Sequence, residues 1–269
     1  MPDIIDLISK WWKQIFAVVM LSLLAVGTIT FFKPRQYLSI ATAVPASTFA
    51  TDKSKIFNEN IQALYSALGS PDELDIILGT AKLDTVYLAV TDEFNLFDHY
   101  KMPGKKSEIR TQAASQLREN TKVMKSEYGE LKIKVWDTDK NLAPQLANAI
   151  MDKLQSIHQN LQSAGNQITL KGLASGREKL QLQLDTTPVS AEKKISLQVR
   201  LQQYEKLTGE YQLMVDSKPP SLLTVEKAKP SAHPDKPRRL QIMVATAVLS
   251  LVFALFAALI MERRKTPGK

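Results

Sequence analysis

Residues 15–32 read IFAVVMLSLLAVGTITFF, and residues 240–261 read LQIMVATAVLSLVFALFAALIM. Neither run contains a charged side chain. At 1.5 Å rise per residue, helices of these lengths span roughly 27 and 33 Å, and the hydrocarbon core of a bilayer is about 30 Å thick. The two runs therefore predict one transmembrane helix at 15–32 and a second at 240–261.

The flanks of the apolar runs fit a membrane better than a soluble core. Four anchoring side chains precede the first run, namely Lys10, Trp11, Trp12 and Lys13. Residues 263–265 add three cations after the second run. Amphipathic rings and long cationic side chains anchor a helix at the membrane–water interface. A cleaved signal peptide is the poorer interpretation, because the first run exceeds the roughly 7–15 apolar residues of such a peptide and follows Asp3 and Asp6.

Two spans place both chain ends on the same side of the membrane. We expect short tails at residues 1–14 and 262–269 and one large domain at residues 33–239 on the opposite side. Cations are divided almost evenly between the tails and the ends of the 33–239 loop, so their distribution does not fix the orientation.

The amino-acid composition excludes several kinds of chemistry and partner for the loop. The 269 residues include 35 Lys+Arg against 27 Asp+Glu, with no Cys. Disulfides, thiolate metal sites and cysteine nucleophiles are thus excluded. The cations are spread along the chain instead of clustering with aromatic residues, so we expect no nucleic-acid partner. The formal net charge of +8 fits contact with anionic lipid headgroups or an anionic glycan.

The 33–239 loop has the pattern of an α+β domain. Strands are predicted at 37–44 and, from the alternation of apolar and charged residues, at 131–137. A third short strand at 221–225 is a candidate partner for the first. Helices are predicted at 52–69, 71–78 and 107–118, and residues 96–105 read as a turn.

A long helical hairpin is predicted at about 145–215. Asp139 offers an N-cap, apolar residues recur at helical steps as far as Leu184, and residues 185–188 (DTTP) interrupt the pattern before it resumes at Leu197. The apolar stripe is consistent with a self-contained antiparallel hairpin. It is equally consistent with a hairpin whose stripe is partly buried against neighbouring copies.

Residues 218–239 form a proline-rich segment that leads into the second span. Pro230, Pro234 and Pro237 favour extended polyproline geometry, so the segment is predicted to be a stiff spacer. Within the second span, small residues recur every four positions at Thr246, Ser250, Ala254 and Ala258. This face permits close helix packing, although an incidental alanine-rich span is an equally good interpretation.

No catalytic pattern is present. His99, His158 and His233 are far apart in the sequence and lack ligand spacing, so no metal site is predicted. Residues 104–107 (GKKS) resemble part of a phosphate loop but lack its first glycine, and we interpret them as a basic turn. We therefore expect no catalytic residues, no cofactor and no enzymatic activity.

Three motifs resemble the chain-length determinant family, the Wzz-type polysaccharide co-polymerases. The first is a strand directly after the first span, at 37–44. The second is a strand ending in Asp137-Thr-Asp139, followed by an Ala-Asn148-Ala helix. The third is the proline-rich segment with Pro230, Pro234 and Pro237 before the last span. Pro144 lies farther from the Asp turn than is usual in the family, and the kinase extension of some relatives is missing.

The resemblance implies an α+β periplasmic base domain with a protruding helical hairpin, between two spans of the bacterial inner membrane. It implies a homo-oligomeric ring that, without catalysis, regulates the chain length of a surface polysaccharide such as O-antigen of lipopolysaccharide, capsule or exopolysaccharide. The implied partners are a membrane polysaccharide polymerase, a lipid-linked glycan and membrane lipids. Scaffolding of the polymerase and holding of the glycan are both open as mechanisms.

A different class of function also fits the layout. A membrane-anchored periplasmic domain that binds a ligand or senses a signal, again without enzymatic activity, needs the same two spans. Such a protein requires a cytoplasmic output, which the short predicted tails do not provide unless a partner supplies it.

Overall fold

The computed structural model describes residues 4–46, 71–186 and 190–265. The chain divides into two compact units. The first unit holds the residues up to Leu38, Asp137–Lys140 and the residues from Ser231 onward. The second holds Ser39–Trp136 and Asn141–Pro230.

The described elements confirm the α+β class. The helices are α1 (Ile4–Phe32), α2 (Pro71–Thr80), α3 (Asp84–Glu93), α4 (Leu96–His99), α5 (Lys106–Glu119), α6 (Leu142–Thr186), α7 (Ala191–Ser217) and α8 (Arg239–Lys265). The strands are β1 (Tyr37–Pro45), β2 (Thr121–Lys125), β3 (Leu131–Asp137) and β4 (Leu222–Glu226).

In the first unit, α1 and α8 pack against each other as an antiparallel pair. Each contains a stretch long and apolar enough to cross a membrane, at Ile8–Phe32 and Arg239–Glu262, with mean hydropathies of 2.5 and 2.6. Just beyond the helices, the Gln36 N–H donates to the Lys236 carbonyl at 3.0 Å, and the Asp235 N–H donates to the Gln36 carbonyl at 2.9 Å. The chain is thus closed where it leaves one helix and enters the other.

The second unit is built on a four-stranded sheet with the order β2-β3-β1-β4. β4 pairs antiparallel with β1, which confirms the predicted partnership of these two strands. β2 and β3 form a hairpin whose turn includes Gly129 at φ 75°, a backbone conformation that glycine adopts without strain.

The core of the second unit lies between one face of the sheet and the helices. Alternate β3 residues Leu131, Ile133 and Val135 are fully buried, as the alternating sequence predicts. Residues from α2, α3, α5 and the first part of α6 complete the same cluster. On the outside, Arg110 of α5 forms a two-bond ion pair with Asp92 of α3, with both distances at 2.6 Å.

Some elements differ from the sequence-based expectation. Residues 96–99 form the short helix α4 where a turn was predicted. Helix α3 and strand β2 were not predicted. Asn141, not Asp139, is the residue before α6, because the helix begins at Leu142. The predicted helix at 52–69 lies outside the described residues.

Helices α6 and α7 pack along each other as a hairpin. α6 is 45 residues long, about 67 Å at helical rise. The buried side chains of α6 all lie between Ala143 and His158, whereas Leu161 and Ile168 farther along are 60% and 73% exposed. The apolar stripe of the hairpin is therefore only partly buried within one chain.

A close contact between the two arms of the hairpin generates the first prediction. A Cβ at Gly176 of α6 would lie 2.5 Å from Cε1 of Tyr204 on α7, whereas a Cβ at Gly172 meets nothing within 4 Å. Alanine in a helix is favoured over glycine by about 0.5–1 kcal/mol. We expect Gly172→Ala to raise the melting temperature and Gly176→Ala to raise it less or to lower it, as measured by circular dichroism in detergent.

The Tyr204→Leu background provides the control for this contact. With the ring removed, Gly176→Ala should stabilise the protein as much as Gly172→Ala does. Equal effects of the two alanines in the natural background would show that Tyr204 does not pack on Gly176.

The second prediction concerns His158, which is 8% exposed at the root of the hairpin. Its Nε2 has no hydrogen-bond partner among the described residues, and burial lowers its pKa below the ordinary value of 6.5. The unfolded chain therefore takes up a proton more readily than the folded one. Stability should be complete above about pH 6.5 and should fall as the pH drops from there toward the lowered pKa.

Thermal melts at a series of pH values test this expectation. His158→Leu should lose much of the acid-side decline, while the exposed His233→Gln should retain it. An unchanged pH profile in His158→Leu would contradict the assignment.

Candidate functional site

A junction site forms in the second unit, where α6 and β1 meet residues 228–229 of the proline-rich segment. It consists of Ser39, Asn148, Ala228 and Lys229. The Ala228 N–H donates to Asn148 Oδ1 at 2.8 Å, and Asn148 Nδ2 donates to the Ala228 carbonyl at 3.3 Å. Ser39 Oγ donates to the Lys229 carbonyl at 3.0 Å. The side chains of Asn148 and Ser39 thus form hydrogen bonds with the backbone of two consecutive residues, Ala228 and Lys229.

The local sequence explains the position of Asn148. Leu146, Ala147 and Ile150 face the core and are fully buried. Asn148 lies half-buried on the side of the helix, where its amide contacts the backbone of Ala228. Ala228 is itself 7% exposed, so its backbone groups depend on the Asn148 amide for hydrogen bonds that water cannot readily supply.

The Asp-Thr-Asp turn predicted from sequence lies in the first unit. Asp137 is 1% exposed, and its Oδ1 accepts a hydrogen bond from the Asp139 N–H at 2.8 Å. This is the Asx-type turn that an aspartate uses to end a strand. Asp137 and Asp139 therefore shape the turn after β3, and Asn148 belongs to the junction site.

The three prolines lie on either side of the boundary between the units. Pro230 and Pro234 are exposed, Pro237 is half-buried, and the Lys236–Pro237 peptide is cis. Residues 227–234 form no helix or strand. The start of the segment is held by the junction site, and its end is held by the hydrogen bonds to Gln36.

The small-residue face of the second span faces α1 of the same chain. Ala254 and Ala258 are each 4% exposed and form a cluster with Trp11 and Ile15. Nearer the start of α8, Ser250 is buried and donates to the Ala247 carbonyl. The half-buried Thr246 donates to the Ile242 carbonyl.

Polar contacts close both ends of the helix pair. At one end, Trp11 Nε1 donates to Glu262 Oε2 at 2.9 Å, and Lys10 pairs with Glu262 Oε1 at 2.5 Å. At the other, the Arg239 guanidinium lies 5.2 Å from the centre of the Phe31 ring and donates to the Phe31 carbonyl. The sequence predicts Trp11 as an anchor at the membrane–water interface, whereas in the structure its ring is buried against α8. The acid at Glu262, one residue beyond the uncharged run, was the available signal for its partner.

A polar surface cavity of about 320 Å³ adjoins Asn148 on the side of α3. Its lining combines Phe94 with charged and amide side chains, including Glu93, Gln145 and Asp152. In the described residues, no group of three or more His, Asp or Glu side chains is arranged to hold a metal ion.

Comparisons with known proteins give matches among solved structures but none among family models or curated sequences. No family model matches the chain, and no curated protein sequence matches it. Among solved structures, the chain is similar to a full-length bacterial polysaccharide co-polymerase at 12% sequence identity and a TM-score of 0.42, with all of both chains covered. A TM-score this low does not establish a shared fold.

The junction site generates the third prediction. Asn148→Ala removes both hydrogen bonds to Ala228 and leaves its buried N–H and carbonyl unpaired, at a cost of about 1–3 kcal/mol. Amide hydrogen exchange at Ala228 should accelerate, and the melting temperature should fall. Asn148→Asp keeps the acceptor but loses the donor, so its effect should be intermediate.

Gln145→Ala is the matched control for the junction, because Gln145 is exposed on the same helix, one turn earlier. Its exchange at Ala228 should equal that of the natural protein. Unchanged exchange in Asn148→Ala would show that the amide does not hold the segment.

The helix pair generates the fourth prediction, which uses the absence of natural cysteines. A Cβ at Gly27 would lie 3.8 Å from Met243 Sδ. In the variant with Gly27→Cys and Met243→Cys, a short bis-maleimide should cross-link α1 to α8 within one chain. Adding Ala254→Leu and Ala258→Leu should reduce the yield, because the larger side chains separate the helices.

Val248→Leu is the control for steric effects, since Val248 is exposed on α8. It should leave the yield unchanged. Cross-linked dimers on a denaturing gel, in place of the single-chain product, would assign the pairing to neighbouring copies.

Proposed function

We propose that this chain is a polysaccharide co-polymerase of the bacterial inner membrane that regulates the chain length of a surface polysaccharide. The surface polysaccharide is an O-antigen, a capsule or an exopolysaccharide. The large domain faces the periplasm, and the protein acts as an oligomer that scaffolds a membrane polysaccharide polymerase and its lipid-linked glycan, without chemistry of its own.

The observation that carries this proposal is the contact between Asn148 and Ala228. Asn148 belongs to one of the motifs that resemble the chain-length determinant family, and Ala228 lies in another, the proline-rich segment. The two motifs are 80 residues apart in sequence, and the structure joins them by two hydrogen bonds. Motifs that resembled the family by chance would have no reason to meet.

The form of the hairpin supports a scaffolding role. α6 is continuous from the core, where Leu146 and Leu154 are fully buried, to its exposed far end. A single helix anchored in this way is a stiff arm. Its remaining apolar side chains, such as Leu161 and Ile168, offer contacts to neighbouring copies, and copy number then sets the size of the platform presented to the polymerase.

The proline-rich segment supports coupling between the domain and the membrane. The side chains of Asn148 and Ser39 bond to the backbone of Ala228 and Lys229. The backbone of Gln36 bonds to residues 235 and 236. Pro230 and Pro234 lie between these two contacts, and Pro237 directly follows the second. We propose that this segment fixes where the second span enters the bilayer relative to the polymerase.

The fifth prediction tests the function directly. Deletion of the gene should change the length distribution of a surface glycan on a gel, from a preferred length to a broad distribution. Complementation with the natural protein should restore the preferred length. The triple variant Pro230→Ala, Pro234→Ala, Pro237→Ala should express normally and yield an altered length, because the spacer is no longer stiff.

Complementation with Gln145→Ala supplies the control, since that exposed residue should leave glycan length unchanged. Unaltered glycan length after deletion would refute the proposal and favour a binding or sensory domain. Normal length with the triple variant would show that the prolines play no part.

A further inference from the structure

The sheet of the second unit has a face that does not contribute to the core. On β3, Lys132, Lys134 and Trp136 alternate with the fully buried Leu131, Ile133 and Val135 and so lie on the opposite face. The antiparallel register places Lys122 of β2 directly opposite Lys134, and Met124 opposite Lys132. We call this surface, together with the outward residues of β1 and β4, the outer sheet face.

The lysines of the outer sheet face are only partly paired within the described part of the chain. Glu130 pairs with Lys132 at 3.0 Å. Neither Lys122 nor Lys134 forms an ion pair with any residue that the structure describes. Directly opposed residues in an antiparallel pair have Cβ atoms about 5 Å apart, and like charges there are destabilising. An anion bound at this position would remove the repulsion.

The other half of the outer sheet face is apolar. Ile40 of β1 lies between the buried Ser39 and Ala41 and is 37% exposed. Leu223 of β4 is 43% exposed and pairs with Val44, whereas its neighbour Leu222 points into the core. Exposed apolar residues beside unpaired lysines and a tryptophan are the combination found where proteins contact the headgroup region of a bilayer.

A short stretch of chain joins the first span to β1. β1 begins at Tyr37, five residues after Phe32 at the end of α1, a distance of at most about 18 Å even when extended.

We propose that the outer sheet face docks on anionic phospholipid headgroups of the membrane that α1 and α8 cross, with Lys122 and Lys134 on the phosphates and Trp136 and Ile40 at the apolar boundary. A soluble phosphate or an acidic glycan would satisfy the lysines but would leave the apolar half exposed. A bilayer surface satisfies both halves. The docking is independent of whether the protein regulates glycan length.

Lysine acetylation of the full-length protein in nanodiscs tests this surface. The protein is placed in discs of phosphatidylcholine alone or of phosphatidylcholine with phosphatidylglycerol, treated with an acetylating ester and analysed by mass spectrometry. Lys122 and Lys134 should react about fivefold more slowly in the anionic discs, the preference expected for one cation near an anionic surface. Lys193 and Lys194, at the far end of the hairpin, should react equally in both.

Two outcomes would overturn the proposal. Equally fast reaction of Lys122 and Lys134 in both discs would show that the face remains in water. Equally slow reaction in both would show that protein, such as a second copy of the chain, covers the face in place of anionic lipid.

A charge-reversal variant tests the same surface without relying on a single measurement. In Lys134→Glu, the reactivity of Lys122 in anionic discs should rise to its value in phosphatidylcholine discs. Lys194→Glu, the control variant, should leave Lys122 protected. Circular dichroism of both variants establishes that they are folded, and continued protection of Lys122 in folded Lys134→Glu would contradict docking through this pair.

Discussion

The pairing of α1 with α8 is the constraint on which the rest of the fold depends. Because the two helices are antiparallel neighbours, the chain must leave one and enter the other at the same end of the pair. Gln36 and Lys236 meet there through backbone hydrogen bonds. After Gln36 the chain enters β1, and the chain reaches Lys236 after leaving β4. Strands β1 and β4 pair with each other. A loop of about two hundred residues is thereby closed at its base, which also removes much of the entropy that a free loop would retain.

Elements with a strong local pattern could be predicted from the sequence, and elements decided by tertiary packing could not. Strand β3 alternates apolar and charged residues from Leu131 to Val135. Helix α3, in contrast, contains β-branched Val86 and Val90 and begins without a side-chain cap, so its local preference for a helix is weak. It forms because these residues are buried against the core. The short strand β2 likewise exists because β3 is available as its partner.

The candidate site shows the same limit at the level of individual contacts. The residue Asn148 could be singled out from its motif, but its partner could not, since nothing local connects positions 80 residues apart. The partner follows from the chemistry of the proline-rich segment. Prolines lack N–H donors and residues 227–234 form no helix or strand, so the remaining backbone groups of this stretch must bond to side chains or strands elsewhere. Asn148, Ser39 and Gln36 supply those bonds.

The position of the junction site on α6 has a mechanical consequence. Asn148 lies within the buried root of the helix, between the fully buried Leu146 and Ile150, and the exposed stem continues from that root without a break. A tilt of the stem therefore cannot occur without moving the root. Because the same root holds Ala228 by two hydrogen bonds, the direction of the hairpin and the start of the proline-rich segment are fixed together. A movement of the hairpin root is therefore opposed by the same two hydrogen bonds that hold Ala228.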